Sequence, residues 1–166
     1  NAALIIGGQA VSASMGLSMA NMVDPSMGNV PVIAQFFVIC STLIFLGLGG
    51  HVLVISLLLE SFELLPINSA LDLQGLLKLT IEWSAMMFVG AILIGLPLMA
   101  SLLFINIGLG VITRTAPALN IFAVGFPAMI LAGIVLLSLS MTSIGYRIQW
   151  LWQESFEIIG QALGIR

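Results

Sequence analysis

The sequence has very little charge. Of its 166 residues, four are Lys or Arg and seven are Asp or Glu, so charged residues make up 7% of the chain. Ordinary soluble domains carry about 25% charged residues, and this chain has too few to cover a surface that faces water. Hydrophobic residues make up 60% of the sequence. This composition predicts a chain that lies in a membrane or buries nearly all of its surface against partners.

Basic residues are also too few for a nucleic-acid-binding protein. The formal net charge is −3, whereas proteins that bind nucleic acid carry clusters of Lys and Arg. We therefore expect no nucleic-acid partner.

Side chains that carry out catalysis are scarce as well. The chain has one cysteine, Cys40, and one histidine, His51. These are too few Cys and His ligands for a typical zinc site, and a single cysteine cannot form an internal disulfide. It has no HExxH, GxSxG or Walker A string. We expect no enzymatic activity, no cofactor and no metal. His51 has two interpretations: a proton-responsive group, or a neutral histidine bonded to a nearby backbone carbonyl.

The most distinctive stretch is GLSMANMVDPSMGNVP, from Gly16 to Pro31. Methionine recurs in and beside it, and Pro25 restricts Asp24 to extended or turn conformations. Long apolar runs follow it. The methionines are Met15, Met19, Met22 and Met27. A methionine-bearing turn between apolar helices indicates a part that seals and then moves.

Small residues recur every four positions in the segment before this turn. Such rows let helix backbones approach closely, so the spacing predicts a closely packed helix over residues 1–20. One row is Gly8, Ser12, Gly16 and Ala20, and the second is Ala10, Ser14 and Ser18.

The rest of the chain predicts further helices, so the fold class is all-α and of the integral-membrane type. Residues 30–59 form a charge-free run with a bend at Gly47–His51, where three glycines fall in four residues. Pro97 is expected to kink a later helix. We divide the single domain, 1–166, into a helix plus turn (1–29), a hairpin arm (30–66), a kinked helix (69–112), an apolar helix (121–145) and an amphipathic tail (146–166).

Two features of the later segments have functional interpretations. Tyr146, Trp150 and Trp152 are typical of a membrane-interface anchor, and the tail that they begin is expected to lie on a membrane surface or against a partner. Arg114 either pairs with an acid from another segment or stabilises the end of the preceding helix.

Three runs together resemble one known family. GLSMANMVDPSMGNVPVIAQF, GGHVLVISLLLESFELLPI and RTAPALNIFAVGFP occur in this order over nearly the whole chain. They resemble the FliR family of flagellar type III export-gate proteins and, less closely, its injectisome homologues. The family is longer at its N-terminus, so the chain is similar to the C-terminal portion of such a protein.

The resemblance implies tilted helical hairpins assembled with FliP and FliQ, with FlhB associated, in the bacterial inner (cytoplasmic) membrane at the flagellar basal body. Transient unfolded export substrates and membrane lipid are the other implied partners. The implied pore plug comprises Met15, Gly16, Ser18, Met19, Ala20, Met22, Val23, Asp24, Pro25 and Met27. The implied assembly or gating contacts are Gly49, Gly50, His51, Arg114, Pro117, Gly125, Phe126 and Pro127.

The mechanism expected of such a plug is closure of a narrow lumen by Met19, Met22 and Val23, which a substrate displaces. Methionine suits this role because its side chain repacks around different partners. Two other classes stay open. A small-molecule or ion transporter predicts intramembrane charges and internal repeats, and a structural scaffold would tolerate deletion of residues 15–27. The sequence also leaves open whether the apolar helices span the bilayer or are buried in the assembly.

Overall fold

The computed structural model describes residues 1–17, 31–64, 73–115 and 121–163, with side chains described from residue 124 onward in the last range. These residues form α-helices and, within the described ranges, no strand. The helices are α1 (Ala2–Ser14), α2 (Val32–Gly47), α3 (Gly50–Leu64), α4 (Leu73–Thr115) and α5 (Ile121–Ala162). The all-α prediction is confirmed.

Helix α1 lies between α2 and α4. Its buried residues recur at helical spacing and form one continuous stripe. They are Ala3, Leu4, Gly7, Gly8, Val11 and Ser12. A methyl group on Gly8 would overlap the backbone of Ala34 in α2, and one on Gly7 would lie 3.1 Å from the carbonyl oxygen of Ala91 in α4. The predicted close packing of α1 is therefore present.

The described members of the second predicted row of small residues do not lie in a buried helix interface. Ala10 and Ser14 are only partly buried and line an open groove between α1 and α4. The buried rows are instead the first predicted one, at Gly8 and Ser12, and a neighbouring one that runs through Ala3, Gly7 and Val11. The larger apolar side chains of Leu4 and Val11 fill the interior. The small residues between them are the points at which the backbone of α1 comes closest to its neighbouring helices.

The four longer-range helix pairs form a closed circuit: α1 contacts α2 and α4, and α5 contacts α2 and α4. Gly90 of α4 lies against Leu151 of α5, whereas Asn106 of α4 lies at the same cleft as Gly125, so these two helices are antiparallel. Among the described residues, the core comprises Leu4, Val11, Met15, Ile33, Phe37, Ile94, Leu98, Leu102, Met129, Leu137, Ile144 and Ile148.

The run 30–59 breaks where its glycines predict. Helix α2 ends at Gly47, α3 begins at Gly50, and the two helices are bent by 66°. Gly49 has a φ of 71°, a left-handed conformation that costs other residues about 1–2 kcal/mol. Beyond the bend, Gly50 is the one buried residue of α3, which projects from the circuit of helices with apolar side chains exposed on all sides.

The predicted division between an apolar helix 121–145 and a separate tail 146–166 is wrong. Helix α5 is continuous from Ile121 to Ala162 and includes Pro127. The apolar face of the tail packs on the chain's own helices: Trp152 and Phe156 lie against Phe45 of α2. The sequence becomes more polar from Tyr146 onward, which changes the surroundings of the helix but does not end it. Helix continuity depends on backbone hydrogen bonds.

Trp152 is consequently not a surface anchor. Its indole Nε1 donates a 2.9 Å hydrogen bond to the buried hydroxyl of Ser41 in α2, and its ring centroid is 4.6 Å from that of Phe45. The N–H of a Trp that packs into a protein interior usually finds a hydrogen-bond partner, and Ser41 provides one for the partly buried Trp152. Tyr146 and Trp150, by contrast, are exposed.

Two described helices, Leu73–Thr115 and Val124–Ala162, are long and apolar enough to cross a membrane, and the bent pair α2–α3 passes the same test as one broken span. Helix α4 continues without interruption through Pro97. The membrane-type prediction is therefore confirmed for these helices by length and composition.

We predict that Gly8→Ala destabilises the fold by about 1–3 kcal/mol, because overpacking a tight contact has this effect and the obstructing group is the Ala34 backbone. Gly108→Ala is the matched control, since nothing lies within 4 Å of its added methyl and Ala is the better helix former. Thermal melting of the full-length protein in mild detergent gives the comparison. Equal melting temperatures for the two variants would contradict the close approach of α1 and α2.

Candidate functional site at the base of the methionine-rich segment

Helix α1 ends at Ser14, six residues earlier than predicted. The amide of Gly16 donates to the carbonyl of Ala13 and that of Leu17 to the carbonyl of Ser12, both at 3.0 Å. These two hydrogen bonds form a Schellman motif, which places a residue in the left-handed conformation directly after the helix cap. Gly16 occupies that position with a φ of 79°. Gly16 is thus a helix terminator and not a member of the packing row, and a glycine at the end of an apolar pattern was the available signal.

Met15 is anchored in the interior. It is 1% exposed, and its side chain fills the space above Gly133 of α5. A methyl group on Gly133 would overlap the end of this side chain and lie 2.7 Å from its Cγ and Sδ atoms. The buried side chain of Met15 therefore fixes the position of the chain at the start of the methionine-rich segment.

Gly16 itself rests on Phe126. A methyl group on Gly16 would lie 3.5 Å from Cδ2 of the Phe126 ring. Around this contact is an open cleft of about 290 Å³ lined by residues of α1, α4 and α5. The lining residues are Ala13, Ser14, Met15, Gly16, Asn106, Leu109, Gly125, Phe126 and Met129.

The structure thus brings together four residues that the sequence separates into two groups. Met15 and Gly16 belong to the predicted plug, and Gly125 and Phe126 to the predicted assembly or gating contacts, yet all four line one cleft. We name this arrangement the plug base. The roles assigned to these residues stay predictions.

Other predicted site residues lie elsewhere. Gly49, Gly50 and His51 form the α2–α3 corner, where the imidazole of His51 is exposed and has no hydrogen-bond partner among the described residues. Arg114 is exposed in the last turn of α4, where a cation favours the helix dipole, and it makes no ion pair within the described ranges. Pro127 lies inside α5.

The remaining predicted residues lie outside the described residues. They are Ser18, Met19, Ala20, Met22, Val23, Asp24 and Pro25, together with Met27 and Pro117. The structure describes both chain ends that flank the first group: Leu17 at the plug base, and Pro31, whose carbonyl accepts a 3.1 Å hydrogen bond from the amide of Gln35.

The lining of the plug base is suited to holding a chain segment in place. Among the described residues, its lining has no charged side chain, and its polar side chains are those of Ser14 and Asn106. The Ser14 hydroxyl donates back to the carbonyl of Ala10 at 2.9 Å. Apolar lining at Met15 and Met129, with a glycine that faces an aromatic ring, is an arrangement that positions a chain segment.

The chain also matches known proteins. Residues 1–155 match the family described as bacterial export proteins, family 1. The chain is 35% identical over 164 residues to the flagellar biosynthetic protein FliR of Escherichia coli (strain K12), covering 98% of the chain and 62% of that relative. This chain belongs to the FliR family.

Two other organisms have similar proteins. The FliR of Aquifex aeolicus (strain VF5) is 32% identical over 156 residues, covering 94% of the chain and 60% of that relative. The FliR of Bacillus subtilis (strain 168) is 32% identical over 148 residues, or 86% of the chain and 57% of the relative. The chain thus spans about three fifths of the length of the relatives it matches.

We predict that Met15 and Gly133 are energetically coupled. Met15→Ala should destabilise the fold by about 2–5 kcal/mol by leaving a cavity, and Gly133→Ala by about 1–3 kcal/mol by overpacking. In the double variant the added methyl enters the space that Met15 vacates, so its destabilisation should be smaller than the sum by more than about 0.5 kcal/mol. Denaturant unfolding of the full-length protein measures all three values. Strict additivity would show that the two residues are not in contact.

Proposed function

We propose that the chain is the C-terminal part of a flagellar export-gate subunit that, together with FliP and FliQ, forms and plugs a channel for unfolded export substrates. The gate lies in the bacterial inner membrane at the flagellar basal body, with FlhB associated. The injectisome alternative has less support, because the relatives described above are all named as flagellar proteins.

The observation that carries the proposal is the plug base. The methionine-rich segment starts from a point fixed by Met15 in the interior and by Gly16 on Phe126. A segment that closes a lumen needs such a fixed origin, because the position of its sealing side chains depends on where the chain leaves the folded core. A scaffold protein would have no need to anchor this particular segment.

The exposed apolar surface supports assembly with other subunits. Helix α3 exposes apolar side chains all round, and a helix with this pattern is buried in its working state. Those side chains include Val52, Leu53, Val54, Ile55, Leu58, Leu59 and Phe62. A surface of this kind fits an arm that reaches onto neighbouring subunits. It also accounts for a chain with so few charged residues.

Methionine at the seal fits a channel that passes many different unfolded chains. Met19, Met22 and Val23 are the side chains that we assign to the closed lumen. The unbranched thioether of methionine adopts many rotamers and adapts to different neighbours. Such side chains exclude water and ions in the closed state, and a substrate displaces them.

We predict that replacing Met19, Met22 and Val23 together by serine makes cells leak ions, because small polar side chains leave the closed lumen open and hydrated. The measurement is membrane conductance or loss of ion gradients in cells that express the assembled gate. Met99→Ser is the control: this methionine is 37% exposed on α4, in the groove beside α1, and its loss should leave permeability unchanged. Unchanged permeability in the triple variant would contradict the plug assignment.

We also predict that the full-length protein co-purifies with FliP and FliQ as one discrete complex in mild detergent. Native mass spectrometry gives the subunit composition directly. A stable particle that contains this protein alone would contradict the assembly and favour the transporter class. Deletion of residues 15–27 separates gate from scaffold, since a gate assembles but leaks or stalls, whereas a scaffold keeps both assembly and function.

A further inference from the structure

Helix α1 is much shorter than the helix α4 on which it packs. It has 13 residues, whereas α4 has 43. A methyl group on Gly90 would lie 3.2 Å from the Cβ atom of Ala3, and one on Gly95 would lie 3.5 Å from the carbonyl oxygen of Gly7, so the two helices run in the same direction. Because α4 begins at Leu73, it extends for several turns past the point where α1 begins.

The face of α4 that meets α1 is apolar along these extra turns as well. Its members follow each other at intervals of three or four residues, which places them on one side of the helix. They are Leu76, Leu79, Trp83, Met86 and Gly90. A matching row on α5 comprises Leu151, Ser155, Ile158 and Ala162. The two rows meet where Leu151 packs on Gly90, next to the first turn of α1, and both continue beyond it.

Two open pockets lie between these rows, and Trp83 lines both of them. The first, of about 160 Å³, is lined by the first four residues of the chain and by Met86. The second, of about 130 Å³, lies further along the long helices at Leu79 and Ile158. Among the described residues, Glu154 is the one charged side chain that lines either pocket. We name the two pockets together the Trp83 groove, and it follows the course that α1 would take if it were longer.

The start of α1 lacks the signals that usually begin a helix. The side chain of Asn1 makes no capping hydrogen bond, and the first turn contains no acidic residue. The first amides of a helix need acceptors from outside it, and Ala3 is only 8% exposed, so water has little access there. A preceding turn of helix would supply the acceptors from its own carbonyl groups.

We propose that the residues preceding Asn1 in the full-length protein continue α1 as a helix and fill the Trp83 groove. The inference rests on the proposed function only in taking the chain as the C-terminal part of a longer subunit, in accord with a coverage of 62% and 60% of two relatives. The continuation is apolar on the side that faces the two rows, because these rows are themselves largely apolar.

The packing of α1 on α4 sets the register of the continued helix. Thr80 lies ten residues before Gly90, and Gly90 is opposite Ala3. In two helices that run side by side with the same rise per residue, about the eighth residue before Asn1 therefore lies opposite Thr80. The continued helix would then have about 21 residues, the length that crosses a bilayer core.

The competing occupants of the groove are a helix of a partner subunit and lipid acyl chains. The position of Asn1 favours the chain itself. Because Asn1 and the residues after it line the mouth of the groove, any residue joined to Asn1 starts within it. A partner helix or a lipid would have to share the groove with that attached segment.

The occupant is identified by photo-crosslinking in the full-length protein, in membranes that contain the other export subunits. Trp83, which is 40% exposed, is replaced by benzoylphenylalanine, so that one aromatic side chain takes the place of another. Phe88 is the matched control site, since it is 60% exposed on the same helix and lines neither pocket. Mass spectrometry identifies the linked peptide. We expect the Trp83 site to link to the segment before Asn1 of the same chain, and the Phe88 site not to do so.

The helical form of the segment is tested with cysteine pairs after the native cysteines are replaced by serine. One cysteine is placed by Thr80→Cys, and a second is moved one residue at a time through the segment before Asn1. A disulfide requires Cα atoms within about 7 Å, so we expect a maximum near the eighth residue before Asn1 and a loss two residues to either side. Lys78→Cys is the control, because this side chain is 79% exposed and lies outside the groove.

Four results would overturn the proposal. They are links from the Trp83 site to another subunit, links from it to lipid, equal links from the Phe88 site to the segment before Asn1, and disulfide yields with Thr80→Cys that show no helical period. All of these measurements are made within one polypeptide. Failure to co-purify with FliP and FliQ would therefore contradict the proposed function and leave the continued helix standing.

Thermal melting of each variant verifies that it is folded before its links are compared.

Discussion

The close approach of α1 to its neighbours is the constraint on which the rest of the fold depends. Gly8 meets the backbone of Ala34, and Gly7 meets the carbonyl of Ala91, so α1 is held between α2 and α4 where any larger side chain would push them apart. In a chain with so few charges, dispersion contacts at short distance provide the attraction that the hydrophobic effect cannot supply inside a membrane. The same approach brings the end of α1 to Gly133 and so creates the plug base.

How far the sequence predicts this structure depends on how local each signal is. The bend at Gly47–Gly50 and the small-residue face of α1 were predictable, because glycine spacing acts through the local backbone and through one helix face. The continuity of α5 was not predictable. The change from apolar to mixed composition at Tyr146 reflects the surroundings of each helix face and does not mark the end of the helix. The burial of Trp152 likewise depends on Ser41, a residue 111 positions away, and no local pattern reveals such a partner.

The candidate site shows the same division. Gly16 and Phe126 were both identified from the sequence, but for different reasons and as members of different groups. Their contact arises only because the circuit of α1, α4 and α5 closes. Gly133 was missed altogether, since a glycine in a long apolar helix is unremarkable in sequence until the side chain that fills its space is known.

The anchoring also bears on how the proposed plug would open. Residues 18–30 connect Leu17 to Pro31, and the two helices that flank them, α1 and α2, pack closely where Gly8 meets the backbone of Ala34. Displacing the connecting residues therefore requires no separation of α1 from α2, and the tight interior around Met15 can stay intact while substrate passes. A gate built in this way places its changes in a short segment and leaves the subunit contacts of the long helices undisturbed. In the proposed gate, this separation would combine an adaptable methionine seal with a closely packed frame.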